Sequence, residues 1–252
     1  MATTTVGMPD PAPQPQQKVS SFGRIVGVLF SPKATFEDVV RTPTWVLPSV
    51  IFVVLSLVAS AIFVQRVDWR DAIAQQMEKD PRAAQLSAEQ KEQRVEMGAK
   101  LAPVFGYIGG AVAPAFIMIA TCLIMWGAYS LLGGITIGFG QSFAITAHAC
   151  MTSLVSTPVF LLIIFLKPKG TIDIENPIAT NLGAFLPEGT SKVLMTLCKQ
   201  IDVFTIWILL LIAIGFAAVN PRKLKFGGSF GIAFGVWAAY VLVRVGVAFI
   251  FS

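Results

Sequence analysis

Charged residues are scarce in this chain, and long stretches of it carry none. Lys, Arg, Asp and Glu make up 13% of the 252 residues, whereas in an ordinary soluble domain about a quarter of the residues are charged. Hydrophobic residues make up 55%, in runs too long for an alternating strand or for one face of an amphipathic helix. The scarcity of charge excludes an ordinary soluble domain and predicts helices that cross a lipid bilayer.

Common signatures of catalysis, metal binding and nucleic-acid binding are also missing. The sequence has no HExxH or Walker A motif, and no pair of carboxylates lies inside an apolar run. Cys122, Cys150 and Cys198 lack the spacing of metal ligands and imply no disulfide framework. The net charge of +5 comes without a basic stripe interleaved with aromatic residues. We therefore expect no enzymatic activity, cofactor, metal site or nucleic-acid partner.

The first 44 residues are expected to lie outside the bilayer core. Residues 1–17 are rich in Pro and Gln and predict a disordered tail. Residues 18–44 predict two short amphipathic helices at the membrane interface, the second of which begins at Ser31-Pro32. The apolar face of the first comprises Phe22, Ile25, Val26, Leu29 and Phe30, and that of the second comprises Phe36, Val39 and Val40.

Residues 45–252 are expected to form the membrane domain, with five spans. The spans are predicted at about residues 45–64, 104–132, 142–166, 202–219 and 230–251, with polar loops at 65–103 and 167–201. In the first polar loop, the break at Asp80-Pro81 and the capping-box pattern from Ser87 to Gln90 predict a helical hairpin. The predicted fold class is an all-α integral membrane protein: a five-helix transmembrane bundle with an N-terminal interfacial amphipathic helix and an extramembrane helical hairpin.

A glycine-rich segment at residues 133–141 separates the second predicted span from the third. Glycine lowers helix propensity, so we predict a turn there. A third, shorter span or a re-entrant loop is the alternative.

Three polar residues are candidates for a site in or near the spans. Arg244 is a charge well inside a predicted span, where burial is costly unless the charge is paired. If the last two spans form an antiparallel hairpin, Asp202 lies at the level of Arg244, and we predict an ion pair that holds the hairpin together. For His148 we favour a structural role over a proton relay or a metal ligand.

Two helix faces are built from small residues spaced four apart. The first consists of Gly106 and Gly110, and the second of Gly227, Gly231, Gly235 and Ala239. Such spacing lets helix backbones approach closely in a membrane. We favour packing within the chain, with dimerisation as the alternative.

Two charge signals in the sequence indicate opposite orientations of the chain in the membrane. Counting Lys and Arg alone opposes a cytoplasmic N-terminus, because the loops on the other side hold more of them. Arg222, Lys223 and Lys225, however, form an unopposed basic cluster in a short connection, which favours a cytoplasmic N-terminus.

Several short motifs resemble the Yip1 domain family, particularly its bacterial members, over about residues 22–251. They are Leu29-Phe30-Ser31-Pro32, Phe36-Glu37, Pro43, Ile201-Asp202-Val203-Phe204-Thr205-Ile206-Trp207 and Ile214-Gly215 before the basic connection. The resemblance implies five spans, a cytoplasmic N-terminus and, for bacterial members, the cytoplasmic membrane. Eukaryotic members act in vesicle trafficking and contact Rab-type GTPases. Their N-terminal Tyr-Gly-Pro-type motif is missing here, so we do not expect GTPase binding to carry over.

Two functions remain as hypotheses. The first is a non-enzymatic membrane protein that scaffolds or organises the bilayer or a membrane-protein complex, with a second protein or a second copy of the chain as partner. The alternative is a transporter or channel component with a polar site around Asp202, Arg244 and His148.

Overall fold

Ten α-helices form most of the described part of the chain. The computed structural model describes residues 19–78, 80–168, 170–172, 174, 176–177, 180–187 and 189–250, and none of these belongs to a β-strand. The helices are α1 (Ser21–Phe30), α2 (Pro32–Arg41), α3 (Val46–Arg66), α4 (Trp69–Glu78), α5 (Ala88–Leu132), α6 (Phe139–Ala149), α7 (Ser153–Leu166), α8 (Lys192–Gln200), α9 (Val203–Val219) and α10 (Phe226–Ile250). The predicted tail at 1–17, parts of the polar loop at 167–201 and the end of the fifth predicted span lie outside the described residues.

Four helical segments are long and apolar enough to cross a bilayer. They are Val46–Arg66, Ala88–Leu132, Phe139–Leu166 and Phe226–Ile250. The predicted span at 202–219 corresponds to α9, an apolar helix of 17 residues that falls short of the length of the other four. The chain is therefore an all-helical, multi-pass membrane protein in the part described.

Helices α1 and α2 begin as the sequence predicts, but they pack more deeply than surface helices. The Ser20 hydroxyl accepts a hydrogen bond from the Gly23 amide at 3.0 Å, and Pro32 occupies the first turn of α2. Both helices pack against α6, and α2 also packs against α9. Buried residues of α1 and α2 belong to the central apolar core: Ile25, Val28, Phe36 and Val39. Phe22 and Phe30, on the same predicted apolar face of α1 as Ile25, are exposed.

Helix α5 is longer than the second predicted span. It begins at Ala88, inside the predicted polar loop 65–103, and continues through Pro103 and Pro114 to Leu132. The capping box is formed: the Gln90 amide donates to the Ser87 hydroxyl at 3.2 Å, and the Ser87 amide donates to the Gln90 side chain at 3.0 Å. Helix α4 packs against α5, so the predicted helical hairpin is present but shares its second helix with a span.

The glycine-rich segment is a short connector. Helix α5 ends at Leu132 and α6 begins at Phe139, and the connector has no helix of its own. Gly134 has a φ of 60°, a conformation that glycine adopts without steric cost. Ile135 is buried, and the Trp126 indole donates to the Ile137 carbonyl at 3.0 Å, which fixes the connector against α5. The connector is too short for a further span, in agreement with the predicted turn.

The core of the bundle lies around α6 and α9. Every residue from 142 to 149 in α6 is buried. On α9, Phe216 stacks on Tyr129 of α5 with ring centroids 3.9 Å apart. The third predicted span is interrupted where α6 passes through a 3-10 turn, Cys150–Thr152, into α7.

Candidate functional site

Asp202 lies at the start of α9 and caps that helix. Its Oδ1 accepts hydrogen bonds from the Phe204 amide at 2.9 Å and from the Thr205 amide at 3.1 Å. Its Oδ2 accepts a hydrogen bond from the Thr180 hydroxyl. Capping satisfies amides that have no partner within the helix, and the negative charge is favourable at a helix N-terminus. The residue thus has a structural role in starting α9.

Arg244 does not form the predicted ion pair with Asp202. Its guanidinium is exposed and contacts the side chain of Tyr240, one turn earlier on α10, with 3.5 Å between Nη1 and the hydroxyl oxygen. The carboxylate of Asp202 is engaged at the start of α9 instead. An antiparallel hairpin sets the level of two residues along the membrane normal, but it does not set the direction in which each side chain points around its helix.

His148 is buried inside α6, with 1% of its surface exposed. Its Nδ1 lies 2.8 Å from the Ala144 carbonyl oxygen, which accepts the ring proton. Within the described residues, no group of three or more His, Cys, Asp or Glu side chains is arranged to hold a metal ion. Asp202 lines a cavity between α3, α7 and the start of α9. Neither His148 nor Arg244 lines this cavity, so the three predicted residues do not share one site.

A buried charge that the sequence analysis did not single out lies in α1. Arg24 is 4% exposed, and its Nε donates to Asp38 Oδ2 of α2 at 2.7 Å. Its Nη1 donates to the Thr42 carbonyl at 2.8 Å and to the Thr44 hydroxyl at 2.9 Å. Arg24 is the one charged residue within the apolar sequence of α1. This single charge is the sequence feature that indicates a buried ionic contact. The network ties α1 to α2 and to the segment that follows α2.

The small-residue face of α5 is packed against α3. The Ser60 hydroxyl donates to the Gly106 carbonyl at 3.0 Å, so the two backbones approach closely at this level. A Cβ atom on Gly106 would lie 2.6 Å from Val64 Cγ2, and one on Gly110 would overlap the Ser60 side chain. A larger residue at either position therefore requires the side chain of α3 opposite it to move.

The small-residue face of α10 is open, contrary to the packing within the chain that we favoured. Gly227, Gly231 and Gly235 have no heavy atom within 4 Å of an added Cβ among the described residues, and Ala239 is exposed. A residue spacing of four makes a helix face smooth, but it does not supply a neighbour.

Contrary to the expected absence of catalytic signatures, a Gly-x-Ser-x-Gly sequence occurs in α10, from Gly227 to Gly231. In hydrolases this motif forms a strained turn between a strand and a helix, which exposes the serine. Here Ser229 is buried inside a helix, and its hydroxyl donates to the Ala213 carbonyl at 2.7 Å. The Tyr129 hydroxyl donates to the Ser229 carbonyl at 2.7 Å, so the serine joins α5, α9 and α10.

A cavity of about 520 Å³ lies between α3, α7 and the start of α9. No motif predicts it, because its walls come from separate parts of the chain. Most of the lining surface is apolar, but it includes ten polar residues: Ser56, Ser153, Ser156, Thr157, Asn176, Thr180, Asn181, Lys199, Asp202 and Thr205. Apolar walls are formed by Phe52, Ala59, Phe160, Pro177 and Phe204.

Comparison with known proteins identifies one related family. The family model of the Yip1 domain matches residues 26–249. This range begins in the middle of α1 and ends one residue before the end of α10, so it covers the second half of α1, all of α2 and almost all of the four candidate spans. No curated protein and no solved structure matches the chain.

Proposed function

The chain belongs to the Yip1 domain family, and from this premise we propose that it is a non-enzymatic scaffold that organises membrane-protein complexes. The open face of α10 is the observation that carries the proposal. Three glycines and an alanine spaced four apart are exposed on a membrane-length helix. Such a face suits the close approach of another transmembrane helix.

Aromatic residues beside the open face add contact area for a partner helix. Phe226, Phe230 and Phe234 form a ladder with ring centroids 6.1 and 6.0 Å apart. Phe226 and Phe234 are exposed. A partner that packs on the glycines therefore meets ordered aromatic side chains at the edge of the same face. The partner is another membrane helix, from a second copy or from another protein.

The transporter or channel hypothesis has less support. It requires a polar site shared by Asp202, Arg244 and His148, and only Asp202 lines the cavity. His148 is enclosed in α6, and Arg244 is exposed on α10.

Photo-cross-linking in native membranes tests the scaffold proposal. A benzophenone analogue of phenylalanine replaces Phe234, which is 46% exposed beside the face, or Phe116 of α5, which is 69% exposed. We expect protein adducts from position 234 to exceed those from position 116. Gly231→Val should remove the adducts from position 234, because its side chain blocks close helix approach.

Gly127→Val is the matched control, since Gly127 of α5 also has no heavy atom within 4 Å of an added Cβ but lies between Leu123 and Leu131 at the four-residue spacing. It should leave the adducts unchanged. Equal adducts from positions 234 and 116, or adducts that survive Gly231→Val, would contradict the scaffold proposal.

We also propose five spans in the cytoplasmic membrane, with the N-terminus in the cytoplasm and α1 at the interface. Helix α9 has 17 residues, about 25 Å at 1.5 Å per residue, which is near the lower limit for a span. The exposed Phe22, Val26 and Phe30 give α1 an apolar edge that is free to enter the interface.

The topology is tested with single cysteines and a membrane-impermeant maleimide, after replacement of Cys122, Cys150 and Cys198. We expect Ala184→Cys to be labelled from outside intact cells, whereas Lys223→Cys is labelled only after lysis. Labelling of both from the same side would rule out a crossing by α9.

A further inference from the structure

We propose that the cavity between α3, α7 and the start of α9 binds an uncharged polyhydroxylated group, either a free sugar or polyol or the sugar headgroup of a lipid. This inference does not depend on the scaffold function. The cavity volume of about 520 Å³ lies within the range of roughly 300–1,000 Å³ that is typical of small-molecule sites.

The cavity is lined by helix α7 and by the loop that precedes α8. On α7 the lining runs from Ser153 to Phe160, roughly 10 Å along the helix axis at 1.5 Å per residue. Asn181 and Asp202 border the cavity on the loop side. Polar residues on a membrane-spanning helix line a cavity or contact one another, because lipid cannot satisfy them.

The charged groups of the cavity are already engaged within the protein. Both carboxylate oxygens of Asp202 accept hydrogen bonds, Oδ1 from two backbone amides and Oδ2 from Thr180. Lys199 has an interaction of its own in the protein. Both charged groups thus have partners within the protein, and a neutral ligand leaves these interactions in place.

The amide groups at the loop end are paired as well. The Asn181 side-chain amide donates to Asn176 Oδ1 at 2.8 Å, and the Asn176 amide lies 3.4 Å from Asn181 Oδ1. The hydroxyls of the lining that form no hydrogen bond with another described residue are those of Ser153, Ser156 and Thr157 on α7 and of Thr205 on α9.

The strongest sign of a ligand is the hydroxyl of Ser153. The residue is 6% exposed and lines the cavity, and its Oγ is buried with no hydrogen-bond partner. Buried polar atoms in folded proteins are almost always paired, so this hydroxyl calls for a partner in the cavity. Ser156 and Thr157 lie one turn further along the same wall and form no side-chain hydrogen bond with another described residue. A hydroxylated ligand can both donate to and accept from such groups.

The aromatic walls fit the same class of ligand. Phe52, Phe160 and Phe204 face a cavity that also holds the hydroxyls, so a ligand must present both apolar C–H surface and hydroxyl groups. A sugar ring does so. An acyl chain would leave the Ser153 hydroxyl unpaired, at a cost in binding.

Binding is measured with the full chain in phosphatidylcholine nanodiscs, prepared from a detergent that has no sugar headgroup. The free probe is methyl β-glucoside, and the lipid probe is monogalactosyl diacylglycerol added to the nanodiscs. Phosphatidic acid serves as a charged lipid without a polyhydroxylated headgroup. Binding is followed by the rise in unfolding temperature and by saturation-transfer NMR for the free sugar.

The key variant is Ser156→Leu, whose side chain extends into the cavity and fits its volume. Val155→Leu is the matched control, because Val155 lies on the same helix and is 38% exposed away from the lining. We expect at least one neutral probe to bind, with Ser156→Leu weakening it roughly tenfold or more and Val155→Leu leaving it unchanged. Binding of the galactolipid alone identifies a headgroup site, and binding of the free sugar identifies a soluble ligand.

Ser153→Ala gives a second readout that does not depend on tolerance of a larger side chain. Removal of an unpaired hydroxyl should maintain or raise the unfolding temperature without ligand, while it weakens the neutral probe roughly fivefold. The proposal is overturned if neither neutral probe binds, if binding is unaffected by Ser156→Leu, or if only phosphatidic acid binds.

Discussion

Two helix faces in this protein have the same small-residue spacing but different surroundings. Gly106 and Gly110 of α5 meet Val64 and Ser60 of α3, whereas Gly231 of α10 has no heavy atom within 4 Å of an added Cβ. Both helices are candidate membrane spans. The pattern therefore specifies a surface on which a helix can pack, and the rest of the fold decides whether one does.

The difference has an energetic basis in the bilayer. Lipid tails are as apolar as leucine, so helix association depends on close packing and on hydrogen bonds between helices. The α3–α5 contact has both, because the Ser60 hydroxyl donates to the Gly106 carbonyl across the glycine face at 3.0 Å. The α10 face has neither among the described residues. Substitutions should consequently destabilise the fold at the first face and leave it intact at the second.

The largest expected effect is that of Gly110→Val. A Cβ at this position overlaps the Ser60 side chain, so α3 and α5 must separate, at a cost of about 3 kcal/mol in the free energy of unfolding. Reversible unfolding by SDS in mixed micelles measures the loss. The combination Gly110→Ala with Ser60→Gly should recover stability relative to Gly110→Ala alone, since the new methyl then occupies the vacated space. Wild-type stability of Gly110→Val would show that α3 and α5 are not packed in this way.

Gly106→Ala should cost less, about 1–2 kcal/mol, because the added methyl lies 2.6 Å from one terminal methyl of Val64 and not from backbone. The same unfolding assay measures it. Val64→Ala should restore part of the stability in the double variant, and the two substitutions should not be additive. Strict additivity would mean that Gly106 and Val64 are not in contact.

Sequence patterns predicted where helices and turns lie in this fold better than which helices contact one another. The capping box at Ser87, the helix start at Pro32 and the turn near Gly134 follow from local chemistry, and the structure has all three. Helix α5 differs from prediction because the sequence changes from polar to apolar at Lys100 and Leu101 while the helix continues without a break. Hydropathy marks where the surroundings of a helix change, not where the helix begins.

The candidate site was less predictable for a geometric reason. The cavity is lined by Ser56 of α3, Ser153 of α7 and Asp202 before α9, and no local pattern relates these positions. The prediction of an ion pair between Asp202 and Arg244 was wrong because helix register gives the level of a side chain along the membrane normal but not the direction in which it points. The network of Arg24 was predictable in part, since a single charge within an apolar helix requires a partner.

Ser60→Ala tests the hydrogen bond of the packed face separately from its shape. The variant keeps the close approach of α3 and α5 but removes the donor to the Gly106 carbonyl, with an expected loss of about 0.6 kcal/mol, as for an average hydrogen bond between membrane helices. Ser49→Ala is the control on α3, because the Ser49 hydroxyl donates to the Trp45 carbonyl of its own segment. An equal loss of unfolding free energy in the two variants would show that the hydrogen bond between α3 and α5 does not contribute to the difference between the faces.

The smallest effect on folding is expected from Gly231→Val, on the open face. Valine is no worse a helix former than glycine and has no neighbour to displace, so the free energy of unfolding in dilute micelles should change by less than about 0.5 kcal/mol. The comparison is sharpest when Gly231→Val and Gly110→Val are measured side by side, because the same side chain is added to the same spacing. A large loss at Gly231 in dilute micelles would mean that the face is covered within one chain, whereas a loss that appears only at high protein concentration would locate its neighbour in a second copy.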